Sequence, residues 1–331
     1  MIYLETGSQN PYYNLAFEEY VLANRTDGDY LMLWQNDNTI VIGQNQNAEA
    51  EINRAFVEEH GIHVVRRGTG GGAVYHDLGN LNYSFITDLT ATDHVAKERF
   101  TQPIVEALRG LGIQAEASGR NDILAEGKKV SGTAQRMLRG RILHHGTMLF
   151  DANPAMVAGA LNVDPTKLQS KGTKSVRSRI GNIRDFLKED MDIQAFWTYL
   201  IRQLAGTGMV RGSLTQEELA AVEKLKREKY DTWEWNVGRS PQYTVRNRRR
   251  FDGGGLEAFL SVRQGIVEDV SFYGDFLSLR PLTELTEALR GCLYRRADFA
   301  AALERFRLSE FFGSITEEEL LDTVFASQVN S

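Results

Sequence analysis

The sequence predicts an α+β chain in two domains, and three observations carry that reading. At 331 residues the chain is long enough to bury a large core and to form two domains. Strand and helix patterns both recur through the first 245 residues, with a strand-rich block at 113–151. Near Phe251 the pattern changes to an antiparallel hairpin followed by three helical stretches, a small α+β unit in itself. The expected division is 1–245 and 246–331. Apolar content of 42% and charged content of 25% are those of a soluble globular protein.

Each element has a local cause. Asn10-Pro11 is a helix start, and Leu15, Phe17, Val21 and Leu22 then fall on one stripe through residue 24. Residues 30–35 and 39–42 read as strands around the turn Asn36-Asp37-Asn38. Residues 49–60 predict a helix ended by Gly61, and 62–65 a strand that runs into a glycine loop. Strands follow at 73–76 and 81–86, then a helix at 93–111. Gly119 to Asp122 is a turn. Strands are expected at 123–125 and 129–135, and again across 141–150. Short and longer helices are expected at 154–161, 192–205 and 215–229. Between them, 166–184 has no clear period and reads as a long loop, a kind of segment that is usually functional or disordered. In the second unit, strands at 256–263 and 266–272 precede helices at 281–290, 296–307 and 316–325.

Composition excludes several functions. Net charge is −6 and the isoelectric point is near 5.7, which argues against non-specific nucleic-acid binding. No apolar run approaches the ~20 residues of a membrane span. Residues 1–20 lack the pattern of a signal peptide. The single cysteine, Cys292, excludes an internal disulfide framework and fits a reducing cytoplasm. Two basic patches remain. One is 166–184, which contains no acid; the other is the run 246–250. The second reads either as a solvated linker or as a dock for an acidic protein.

The stretch that organises the chain is 66–77. Arg66 and Arg67 lead into residues 68–72, of which four are glycine. Such a run costs backbone entropy and needs a reason, most simply close approach of an oxygen-rich anion to bare N–H groups. Arg67 to Tyr75 reads as the floor of an anion site, with a glycine hairpin turn as the plainer alternative. Gly68 to Ala73 formally matches a dinucleotide fingerprint, but no helix can start before Gly79-Asn80, so a Rossmann site is not expected. There is no phosphate-binding P-loop and no nucleophile elbow. The six histidines show no metal-ligand spacing. His144 and His145 are adjacent on a strand, so at most one can face a site. Lys129, ahead of the small residues 131–134, reads either as a lysine reaching into a cleft or as a solvated hairpin lysine. On pattern alone Trp34 reads as core. Arg67, Lys129, Arg136 and the basic loop together suit phosphoryl chemistry, where the protein's task is to position groups and neutralise charge.

These residues carry a resemblance. Residues 66–80 resemble the lipoate-binding loop of lipoate–protein ligases. Gly119 to Asp122, Lys129 to Ala134, His144 to Thr147 and Lys171 to Arg179 follow in that family's order across essentially the whole chain. The resemblance implies a mixed-sheet catalytic domain of the biotin/lipoate ligase kind, flanked by helices, with a small mobile accessory domain. It implies two steps: lipoate attacks the α-phosphorus of ATP to give lipoyl-adenylate, then a lysine of an acceptor takes the lipoyl group. No tightly bound prosthetic group is implied.

It also implies roles. Lys129 would act in catalysis on both the carboxyl and the α-phosphate. Arg67, Gly72, Ala73, Val74, Tyr75, Asn121 and Asp122 would hold ATP and the adenylate, with Asp122 near Mg²⁺. Ser175, Arg177 and Ser178 lie in the stretch that would fold over the adenylate. Trp34, Arg67, Thr69, Gly70, Gly71, Lys129, Arg136 and His145 would contact lipoate. Expected acceptors are apo lipoyl domains of 2-oxoacid dehydrogenase complexes and the glycine-cleavage H protein; nucleic acid and membrane are not expected partners. The nearest rival is a lipoyl or octanoyl transferase, which needs a cysteine in the pocket, and Cys292 lies far in sequence from every site motif. A non-catalytic lipoate-binding relative is the other alternative.

Overall fold

The computed structural model describes residues 1–46, 48–89, 98–119, 121–161, 180–205, 208–237, 245–263 and 265–326. The first part of the chain is a mixed eight-stranded sheet. Its strands are β1 (Ile2–Leu4), β2 (Tyr30–Trp34), β6 (Asn80–Asp88), β7 (Ala115–Ser118), β8 (Asp122–Ala125), β9 (Lys128–Leu138), β10 (Arg141–Leu149) and β11 (Val210–Arg211). They lie in the order β11-β1-β2-β6-β10-β9-β8-β7. β1 runs parallel to β2 and β11, and the other pairs are antiparallel. A three-stranded sheet of β3 (Thr39–Ile42), β4 (His63–Arg66) and β5 (Val74–His76) holds the glycine loop between β4 and β5.

The two faces of the large sheet bury different partners. On β2, Leu31 and Leu33 point into a core with Tyr83, Ile142, Phe100, Leu108 and Phe196, contributed by neighbouring strands and by the helices Glu98–Gly110 and Ile193–Ala205. Met32 and Trp34, one residue out of phase, face α1 (Pro11–Asn24) with Leu15, Phe17 and Val21. Period-2 alternation thus turns one strand into two half-cores. α1 starts where its sequence directs: the Asn10 side chain accepts from the N–H groups of Tyr12 and Tyr13 at 3.0 and 3.1 Å, and Pro11 occupies the first turn.

Several elements differ from expectation. The helix expected at 49–60 is two short ones, Ala48–Glu51 and Arg54–Glu59. Asn53 interrupts them and caps the second by accepting from Phe56 N–H. β6 and β9 run longer than expected because both stay paired with β10 to its start, Asp88 and Leu138 each opposite Arg141. Of the long loop at 166–184, residues 166–179 lie outside the described residues, and Ile183–Phe186 is a single helical turn.

The largest correction concerns 246–250. The run is neither a linker nor a free basic patch. It is the body of β12 (Val245–Phe251), which pairs with β13 (Gly254–Arg263), itself paired with β14 (Ile266–Gly274). The expected two-stranded hairpin is therefore a three-stranded sheet. Arg246, Arg249 and Arg250 pair with Glu257, Asp322 and Asp275 of the same domain, so the run's charge is largely met locally. A fourth helix, Leu308–Phe312, joins the three expected ones. Together they bury a second core around Phe272, Phe276, Leu285, Phe299 and Phe312.

Candidate functional site

The site lies on the α1 face of the large sheet, along a line that crosses the strands. Trp34 is the register partner of Asn82, Asn82 of Thr147, and Gly132 of Asp122. Register partners share a face. The Gly132 N–H donates to Thr147 Oγ1 at 3.2 Å and joins the two halves of the row. A cavity covers this row. Leu15, Trp34 and Val41 wall its inner end, Gly72, Ala73 and Val74 of the glycine loop form one side, and Asn121, Lys129 and Thr147 line the outer end. Trp34 is almost fully buried, whereas the Lys129 side chain is 37% exposed. An interior walled by apolar side chains, with a cation at its mouth, suits an amphiphilic acid.

Lys129 reaches the cavity because β9 is bulged. Ile123 pairs with Ser131, but the next residue, Leu124, pairs with Lys129, so Val130 is an extra residue in the ladder. Strict alternation from Gly132 would send the Lys129 side chain to the opposite face. The bulge brings it back to the face of Gly132 and Asp122, while Val130 stays in the core. The ammonium lies 2.6 Å from Asp122 Oδ1. The Lys129 carbonyl accepts from Gly181 N–H at 3.0 Å, so the chain returning after residue 179 is pinned beside it.

The two arginines of 66–67 work on main chain. Arg66 donates to the carbonyls of Gly43, Gln44, Gln46, Trp235 and Asn236. Arg67 donates to Thr69 Oγ1 at 2.9 Å and to the carbonyls of Val41, Gly70 and Gly72 at 3.2, 2.6 and 2.9 Å. Burial pulls each guanidinium down to about 10, which leaves both charged at neutral pH. The charge that sequence reading reserves for an anion thus also folds the loop, and Arg67 still lines the cavity. Glycine is required at two points for separate reasons. Gly71 has φ +90°, and a Cβ at Gly70 would stand 2.5 Å from Ser278 N and 2.9 Å from Phe276 O. The second domain therefore packs directly on the loop. Phe276 O accepts from Gly71 N–H at 3.0 Å, and Leu279 O accepts from Met137 N–H at 2.7 Å.

Behind the loop runs a buried chain of side chains in which Glu18 and Ser84, outside the motifs, link Trp34 to His145 and Thr69. Trp34 Nε1 donates to Ser84 Oγ at 2.9 Å, and Ser84 donates to Glu18 Oε1 at 2.6 Å. Glu18 faces His145 Nδ1 at 2.9 Å, and His145 Nε2 meets Thr69 Oγ1 at 2.8 Å. A neutral His145 protonated on Nδ1 satisfies every link: it donates to Glu18, accepts from the Thr69 hydroxyl, and leaves Thr69 to accept from Arg67. His144 points the other way and stacks on Phe100 at 5.0 Å, so of the two histidines only His145 faces the site. Glu18, Ser84, His76 and Asn82 are the site residues to which sequence reading gave no role. The signal was present in Asn80, Asn82 and Ser84, a period-2 polar stripe alternating with Leu81, Tyr83 and Phe85.

The remaining expected residues fall into four groups. Thr69, Gly70 and Gly71 shape the loop without lining the cavity. Tyr75 points away, since Val74 and His76 flank it on the cavity side, and its hydroxyl donates to Asn38 Oδ1 at 2.9 Å. Arg136 lies behind Gly68 rather than along the cavity, where a Cβ on that glycine would meet its guanidinium. Ser175, Arg177 and Ser178 lie outside the described residues.

Arg136 has a different partner, Glu19, at 2.8 Å; the same carboxylate takes Lys229 at 2.7 Å and the Tyr230 hydroxyl at 2.7 Å. Burial alone would raise the Glu19 pKa, but Arg136 and Lys229 outweigh it and hold it at about 2 against an ordinary 4.5. A carboxylate lowered in the folded state stabilises above its unfolded pKa and loses that contribution as pH falls toward the folded one. The expected result is a pH-dependent part of Tm between about pH 5 and 2 that Glu19→Gln removes. Thermal melts of both proteins across that range check it, and parallel Tm curves would contradict it.

Comparison with known proteins places this geometry. The family model described as the lipoyl protein ligase A/B catalytic domain matches residues 10–205, and that of the bacterial lipoate protein ligase C-terminus matches 240–324. The lipoate-protein ligase LplJ of Bacillus subtilis is 41% identical over 331 residues, covering 98% of this chain and 100% of that protein. Lipoate–protein ligase 1 of Staphylococcus aureus is 40% identical, covering 94% of this chain and 96% of its own. Among solved structures, P. falciparum LipL1 in complex with lipoate superposes with a TM-score of 0.78 at 25% identity, over 92% of this chain and 94% of that one. Lipoate-protein ligase A bound with ATP superposes with a TM-score of 0.61 at 31% identity, over 72% of this chain and 98% of that one. With both family models matched in order, and with full-length relatives at this identity, the chain belongs to the lipoate–protein ligase family of enzymes.

Proposed function

We propose that this chain activates lipoate with ATP and transfers the lipoyl group to a lysine of an acceptor domain. One observation carries the reading: Lys129 and the glycine loop line one cavity whose far end is walled by Leu15, Trp34 and Val41. The acyl chain would lie toward Trp34 and Leu15, with its carboxylate near the Lys129 ammonium. A carboxylate oxygen attacks the α-phosphorus, the bond to the β-phosphate oxygen breaks, and pyrophosphate leaves. In the second step the acceptor ε-amine attacks the carbonyl carbon of the mixed anhydride. AMP departs and the amine gives up a proton. Negative charge grows on oxygen in both transition states, and a preorganised ammonium stabilises each.

Magnesium would enter as part of the MgATP substrate. Among the described residues no group of three or more His, Cys, Asp or Glu is placed to hold a metal ion. A single carboxylate, Asp122, is what a phosphate-held magnesium usually requires from a protein. In this reading residues 1–245 form the catalytic domain and 246–331 an accessory one, and the acceptors are apo lipoyl domains or the glycine-cleavage H protein. Among the described residues no helix is long and apolar enough to cross a membrane.

The test is intact-mass detection of lipoylation on a panel of apo acceptor domains, with lipoate and MgATP present or withheld. Lipoylation is expected only with ATP; ATP-independent transfer from a lipoyl donor would overturn the reading. Cys292 sits in the second domain, where its thiol meets the Ala288 carbonyl, and it is not a wall of the cavity. Cys292→Ser is therefore expected to leave the rate unchanged, whereas a thioester mechanism would lose all turnover.

A further inference from the structure

The inner end of the cavity holds two polar groups that the chemistry at its mouth does not use. His76 and Asn82 are 3% and 2% exposed, and both line the cavity. The Asn36 amide Nδ2 donates to His76 Nδ1 at 3.1 Å, so the ring proton sits on Nε2. Burial and the Arg67 charge drive the His76 pKa down to about 3, so the ring stays neutral. Asn82 Oδ1 accepts from Asn80 Nδ2 at 3.0 Å, which leaves its own Nδ2 as a donor. Neither His76 Nε2 nor Asn82 Nδ2 has a partner among the described residues. Two unmet donors at the buried end of the cavity are costly unless a ligand supplies acceptors.

Their position says which part of a ligand that is. Asn82 is the register partner of Trp34 on one side and of Thr147 on the other, and Thr147 is bonded to Gly132, over which the Lys129 side chain lies. Two strand spacings of ~4.8 Å therefore separate Asn82 from the lysine's strand, about 10 Å in all. Seven C–C bonds of ~1.5 Å, extended, span about 9 Å. An eight-carbon acid with its carboxylate at Lys129 thus ends beside Asn82 and His76.

We propose that His76 and Asn82 read the far end of the acyl chain, and that their N–H groups select a ring bearing sulfur over a plain hydrocarbon end. This rests on the proposed lipoate-activating function and deepens it by naming a specificity pair. Dithiolane sulfurs are weak acceptors, but they are acceptors, and a hydrocarbon terminus leaves both donors unmet. Sites built to hydrogen-bond one substrate reject its unbonded isostere for this reason.

The test compares lipoate with 5-cyclopentylpentanoate, in which CH₂ groups replace both sulfurs, and with octanoate, by calorimetric titration of the full chain. Lipoate is expected to bind at least fivefold tighter than the carbocycle. In Asn82→Leu and His76→Phe that ratio should shrink toward one, with octanoate gaining affinity relative to lipoate. Equal affinity of the wild-type protein for lipoate and the carbocycle would overturn the proposal without recourse to any variant. So would an unchanged ratio in folded variants. Failure of the wild-type protein to bind any of the three acids would instead sink the lipoate-activating function itself, and this pair with it.

Discussion

Lys129→Ala is expected to lower lipoate-dependent ATP–pyrophosphate exchange by about 10³-fold while leaving the melting temperature nearly unchanged. The two halves of that expectation come from different observations. The side chain is 37% exposed, and its ion pair to a partly exposed Asp122 contributes little to stability. Catalysis differs because charge accumulates where the ammonium already stands. A preorganised donor aimed at a developing oxyanion typically contributes 10²–10³-fold, and a full positive charge at the reacting carboxyl lies at the upper end of that range. Lys129→Arg should recover part of the rate, since charge returns but a fork replaces a point donor. The measurement is exchange of labelled pyrophosphate into ATP, with Tm measured alongside. Exchange within tenfold of wild type in the alanine variant would remove Lys129 from the chemistry.

The bulge at Val130 shows why this residue was only half legible. The small residues at 131–134 marked Lys129 as able to reach a cleft, and the family motif assigned it a role. Which face it takes depends on one unpaired residue in the β8–β9 ladder, and nothing in a single strand's alternation reveals that. The same limit applied to the arginines at 246–250. A run of like charge reads as solvated, yet Glu257 on β13, Asp275 just after β14 and Asp322 on the helix Glu317–Val324 each pair with one of them. Local signals were legible where one residue sets one structure: Asn10-Pro11 started α1, and His144-His145 alternation sent only one ring to the site. Glu18 was not legible, because its partners are far away in sequence. Ser84 and His145 meet it only after β6 and β10 have paired.

Arg67 gives the second large effect, and it separates two roles that a motif merges. A guanidinium that only gripped phosphate would be dispensable for folding. This one is 7% exposed and donates to Thr69 and to the carbonyls of Val41, Gly70 and Gly72. Arg67→Met would strand three carbonyls and break the line from Glu18 through His145 and Thr69, at about 1–3 kcal/mol for each unmet group. A total loss of about 3–5 kcal/mol is expected, in the range measured when one partner of a buried charged network is removed. Lipoate affinity should fall in step, because the strand of the loop that walls the cavity, Gly72 to Val74, hangs on these bonds. Arg67→Lys separates the alternatives. Its three donors on one nitrogen cannot reach carbonyls on both β3 and the glycine turn, so Tm should drop although the charge is kept. A phosphate grip alone would give the opposite pattern, a wild-type Tm with lost turnover. Denaturant unfolding and lipoate titration of the two variants decide between them, and a lysine variant as stable as wild type would return Arg67 to the anion.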